Sequence, residues 1–102
     1  MAATVAVFGT LRFPKERMAE VLPHLRTLIE ATHRLDGCIA YDVGVDPFDP
    51  GLLRFSELWP DHATLQRHLA APHIIPWRTA AQSCGLVERQ FATYDISGTG
   101  SV

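Results

Sequence analysis

The sequence predicts one small α+β domain in which two βαβ halves set both helices on one face of a four-stranded antiparallel sheet. Three observations carry this. The chain has 102 residues, 47% of them hydrophobic, enough for one core and too few for two independent domains. Segments with a two-residue apolar repeat alternate with segments of helical repeat in the order strand, helix, strand, strand, helix, strand. The first two strands carry apolar side chains on both faces, so the face without helices needs a cover of its own, for which a second copy of the sheet is the natural choice.

Taken in order, residues 4 to 11, TVAVFGTL, read as the first strand and stop at Arg12-Phe13-Pro14. Pro14 suits the first turn of a helix, and Met18, Val21, Leu22, Leu25, Leu28, Ile29 and Thr32 keep the i, i+3, i+4, i+7 spacing. Pro23 lies inside that stripe and should bend one continuous helix. Asp36-Gly37 ends it, with Gly37 able to take a left-handed conformation. CIAYDVGV, residues 38 to 45, alternates as a second strand, the turn-rich segment DPFDPG, residues 46 to 51, predicts a longish loop, and LLRFSELW, residues 52 to 59, is the third strand.

Trp59 precedes Pro60 and stays extended, and Asp61 can cap a short helix whose Leu65, His68 and Leu69 share a side. Pro72 breaks it. Pro76 opens a second piece carrying Trp77, Ala80, Ala81 and Cys84 as far as Gly85, and LVERQFATYDI is the last strand. Residues 1–96 thus form a ferredoxin-like βαββαβ domain, and residues 97–102 a flexible tail.

Charge and composition exclude several classes. A net charge of −2 with scattered Lys and Arg leaves no footprint for nucleic acid or an anionic membrane. The opening MAATVAVFGT lacks a basic leader, and no apolar run approaches a bilayer span, so a cytoplasmic location is expected. Cys38 and Cys84 belong to no CxxC pair and read as two small buried thiols. Five histidines invite a metal reading, but His62, His68 and His73 lack the i, i+4 pairing that aims two rings at one ion, so no metal is expected.

The stretch from Phe55 to His73, FSELWPDHATLQRHLAAPH, together with DGCIAYDV before it, resembles the antibiotic biosynthesis monooxygenase (ABM) family, with its quinol monooxygenase-like members: a strand with Glu and Trp two apart, a capped helix, then two histidines. The resemblance covers nearly the whole chain. It implies a homodimer forming a dimeric α+β barrel, a pocket between sheet and helices in each subunit, and oxidation of a small quinol or polyphenol by O2 without metal, flavin or haem. Triplet oxygen reacts slowly with closed-shell organics, so such a site needs a base, a dry flat pocket and donors for the developing anion.

The residues that answer these needs are few. His68, on the inward side of its helix, is the candidate base; the alternative is a core histidine held by one hydrogen bond. Glu57, sharing a face with Phe55 and Trp59, either orients His68 or takes a substrate proton, or else forms an ion pair with Arg54, Arg78 or Arg89. Trp59, Phe55 and Trp77 can stack on an aromatic substrate or simply pack, and His73 can reach the pocket mouth or cap the next helix. Tyr41, Asp42 and Tyr94 read as interface residues.

The chain departs from the family in having no Asn, with Gly9 and Thr10 standing where haem-degrading relatives carry one on the first strand. Haem degradation is therefore disfavoured. Two other readings keep the pocket: an isomerase or tautomerase in which His68 and Glu57 shuttle a proton on a small carbonyl compound, and a non-enzymatic small-molecule-binding dimer module.

Overall fold

The computed structural model describes residues 2–102. Four strands, β1 (Val5–Arg12), β2 (Ala40–Asp46), β3 (Asp49–Trp59) and β4 (Glu88–Asp95), form one antiparallel sheet in the order β2-β3-β1-β4. Three helices, α1 (Met18–Leu35), α2 (His62–Leu69) and α3 (Ile74–Ser83), complete the α+β ferredoxin-like arrangement, with α2 and α3 standing where the sequence predicts one broken helix.

The period-two alternation sorts the side chains. Val5, Val7 and Leu11 of β1 and Leu53, Phe55, Glu57 and Trp59 of β3 point to the helix side, where they pack with Met18, Val21, Leu25 and Leu28 of α1. The register Val5↔Trp59 and Val7↔Glu57 carries this parity across the sheet, and Val7↔Thr93 extends it to β4. Glu57 therefore faces the helices. On the other face Phe8 and Tyr94 stand half exposed with their rings 5.7 Å apart.

Local signals act as the physics of each residue type requires. A 3-10 turn, Lys15–Arg17, follows Pro14 and leads into α1, which runs on through Pro23. Gly37 adopts φ +71 just past the helix end, a conformation any Cβ would strain. Asp61 caps α2 by accepting from the Thr64 amide at 2.7 Å. Pro76 falls in the first turn of α3, where a missing N–H breaks no helical bond.

One element differs. The predicted loop over residues 46–51 shrinks to Pro47-Phe48, because β3 begins at Asp49. Pro50 and Gly51 enter the strand where the pairing shifts register after Val45, and Gly51 has no Cβ to collide with the Phe13 carbonyl, which would lie 2.5 Å from it. Its own carbonyl accepts from the Phe13 amide at 2.8 Å. Cys84 is buried, Cys38 is half-buried, and both thiols are free.

Gly9 does something similar inside β1. A Cβ there would meet the Phe91 ring at 2.1 Å, so its absence lets Phe91 lie across β1 and reach Phe55, centroid to centroid 5.2 Å. The two rings floor the space beneath the helices.

Candidate functional site

A cavity of about 490 Å³ opens between the sheet and the helices. Its walls are mostly apolar, from Phe55 on the sheet to Leu65 of α2 and Ile74 and Trp77 of α3, and its polar groups include Tyr41, Glu57 and His68 with Arg78 and Arg89. That is the composition of a small-molecule site.

His68 is held from behind. Its Nδ1 lies 2.6 Å from Oδ2 of Asp36, and Nε2 of His73 lies 2.8 Å from the same oxygen. A carboxylate only accepts, so each imidazole presents an N–H to it, and a neutral His68 carries its proton on Nδ1. Its other nitrogen, Nε2, has no protein partner. Thr32 Oγ1 is the one sealed side-chain polar atom without a partner among the described residues, so Nε2 is open to the cavity that His68 lines. The ring is 3% exposed, 4.8 Å from the Trp59 ring and 5.4 Å from Tyr41, centroid to centroid. Burial pushes its pKa below the ordinary histidine value, and the hydrogen bond to Asp36 opposes this without reversing it.

Asp36 is the residue that sequence reasoning missed. Glu57 does not orient His68: its Oε1 accepts instead from Nε1 of Trp59 at 2.9 Å. Strand side chains two apart lie on one face, so the pair is local to β3. Nor does Glu57 join the arginines. Arg54 binds Asp46 at 2.7 Å, Arg78 donates to the Leu69 carbonyl, and Arg89 lies over the Phe91 ring. Burial raises the Glu57 pKa, while the Trp59 bond and the charge of Arg89 pull the other way. The Tyr41 hydroxyl is pushed well above its usual range, first by burial and then by the charges of Glu57 and Asp36.

Of the six residues singled out in the sequence, Phe55, Glu57, His68 and Trp77 line the cavity. Trp59 is fully buried behind Glu57 rather than on the wall, and His73 precedes α3 with its side chain on Asp36 instead of capping the helix. Both therefore support wall residues.

The donors of Asp36, His68 and His73 lie within 4.8 Å of one another, a two-histidine, one-carboxylate set. The contacts of 2.6 and 2.8 Å have hydrogen-bond lengths, shorter than the roughly 3 Å or more that separates two ligand atoms each about 2.1 Å from a metal. The trio is a hydrogen-bonded clamp.

Residues 4–80 match the sequence profile of the antibiotic biosynthesis monooxygenase family. The chain belongs to that family. The ABM match runs from the first strand through most of α3. Solved structures agree. A Deinococcus radiodurans protein described as a candidate antibiotic biosynthesis monooxygenase is 26% identical with a TM-score of 0.89, over 96% of this chain and 97% of that one. Another antibiotic biosynthesis monooxygenase is 31% identical with a TM-score of 0.84, over 92% and 99%. A conserved protein from Methanosarcina mazei Go1 is 25% identical with a TM-score of 0.83, over 91% and 92%. No curated protein matches this ABM chain. Among its described residues no helix is long and apolar enough to cross a membrane.

Glu57 gives the site a pH signature. Its pKa lies above the ordinary 4.5, so as pH rises from that value toward the folded one the unfolded chain ionises freely while the native state holds its buried carboxyl protonated, and stability falls until the folded value is passed. Glu57→Gln keeps an oxygen for Trp59 and removes that loss. Thermal melts should show the variant gaining on the parent as pH rises above about 4.5, starting from near equality below it. A pH-independent difference would contradict this assignment.

Proposed function

We propose that this protein is a cofactor-independent monooxygenase that oxidises a small quinol or polyphenol with O2. One observation carries the reading: a buried imidazole is fixed through Nδ1 by Asp36 and presents Nε2 to a largely apolar cavity. The same arrangement of carboxylate, imidazole and open nitrogen serves general-base catalysis elsewhere, because the carboxylate fixes the tautomer and stabilises the imidazolium that forms.

In this mechanism Nε2 of His68 takes a phenolic proton. The electron-rich anion passes one electron to O2, and the radical pair joins to form a C–O bond. His68 returns its proton to the peroxide, and loss of water from the hydroperoxide leaves a carbonyl. One oxygen atom enters the product and the other leaves as water, so a quinol becomes a hydroxyquinone with no outside reductant. Phe55 and Trp77 contact the ring, and Glu57 offers a second proton-exchanging group. The apolar walls keep water from quenching the anion.

The parent protein, stripped of metal, should consume O2 with a reduced quinone faster than the spontaneous rate and release no hydrogen peroxide. His68→Ala should lower that rate about 10²-fold or more, the usual range for a general base. Uptake no faster than background across a quinol panel, or α-deuterium exchange in a carbonyl compound without uptake, would remove the proposal.

The same reading includes a homodimer formed through the helix-free sheet face. Phe8 and Tyr94 are large, half exposed and paired there, an apolar feature that a lone domain this small is better off covering. Sedimentation should give a mass of two chains, and Phe8→Asp a mass of one; a monomeric parent would overturn it.

A further inference from the structure

The cavity has an excess of positive charge. Arg12, Arg17, Arg26 and Arg54 each meet an acid, at 3.0, 2.8, 3.0 and 2.7 Å respectively. Of the other four, Arg34, Arg67, Arg78 and Arg89, which meet none among the described residues, Arg78 and Arg89 line the cavity. Arg78 has one hydrogen bond, to the Leu69 carbonyl at 3.0 Å, and Arg89 lies 4.6 Å above the centre of the Phe91 ring. Among the described residues neither has an ion-pair partner. The one carboxyl on the wall, Glu57, is already held by Trp59, and Asp36 stands behind His68 with both imidazoles on it.

Both guanidiniums are solvent-exposed, which puts them at the mouth, while Tyr41, Glu57 and His68 are buried at the inner end. Their fields reach inward all the same: Arg89 acts on Glu57 and Arg78 on His68. A ligand that enters must pass from a cationic rim over apolar walls to a base. A planar guanidinium matches a carboxylate in charge and fork geometry, and such charge-assisted bonds are stronger than neutral ones. Arg89, stacked on Phe91, is in addition pre-oriented against the aromatic floor.

We propose that the ligand of this cavity is a phenolic carboxylic acid, its hydroxyl at His68 and its carboxylate at the mouth on Arg78 and Arg89. The inference rests on reading the cavity as a substrate site and goes further by requiring an anionic group before any chemistry occurs. A cavity of about 490 Å³ suits a one- or two-ring acid.

Binding measured without oxygen separates this from the oxygenase reading. One- and two-ring dihydroxy aromatic acids and their methyl esters would be titrated anaerobically into the full chain by calorimetry. The best acid should bind at least about tenfold more tightly than its ester, the low end for a hydrogen bond to a charged group. Arg78→Gln and Arg89→Gln should each weaken the acid about tenfold and leave the ester unchanged. Esters that bind as well as acids, acids indifferent to both substitutions, or no binding by any acid would overturn the proposal. An acid that binds as expected but takes up no O2 when air is admitted would leave it standing and remove the oxygenase reading instead.

Discussion

The site depends on one shared oxygen. Oδ2 of Asp36 accepts from His68 at 2.6 Å and from His73 at 2.8 Å, and these three residues come from the end of α1, the last turn of α2 and the residue before α3. The position is costly in isolation. The C-terminal end of a helix already carries partial negative charge, and a carboxylate only 6% exposed has lost most of its hydration. Two imidazole N–H groups supply what water would have given. In return the break between α2 and α3 is tied down, and His68 is turned so that its free nitrogen looks into the cavity.

The sheet answers with two devices that depend on strand parity. Trp59 and Glu57, two apart on β3, share a face and form a closed pair, so the carboxyl is held at the wall instead of wandering toward an arginine. Gly9 gives Phe91 room to cross β1 and meet Phe55. Filling that gap would force the ring to move and would reshape the cavity floor, since close-packed interiors relax only partly around added volume.

Much of this was legible in the sequence because it follows from local rules. The stripe from Met18 to Thr32 gives α1, Asp61 caps α2, Gly37 takes the left-handed turn, and alternation puts Phe55, Glu57 and Trp59 on one face. Asp36 was not legible as a site residue. Asp-Gly reads as a helix stop, which it is, and nothing nearby reveals that its carboxylate meets rings 32 and 37 residues further on. The extent of β3 was hidden for a related reason: Pro50 and Gly51 look like loop residues until the register shift and the approach of Phe13 give them a place in a strand. Gly9 carried a faint signal, since a glycine inside an apolar strand often marks a close approach, but the approaching residue lies in the last strand.

The most direct measurement is the nitrogen NMR spectrum of the His68 ring across pH. The ring should be neutral at pH 7 with its proton on Nδ1 and a bare Nε2, staying neutral to below the ordinary value of 6.5 because burial outweighs the pull of Asp36. A ring protonated on Nε2, or one that titrates above 6.5, would contradict this.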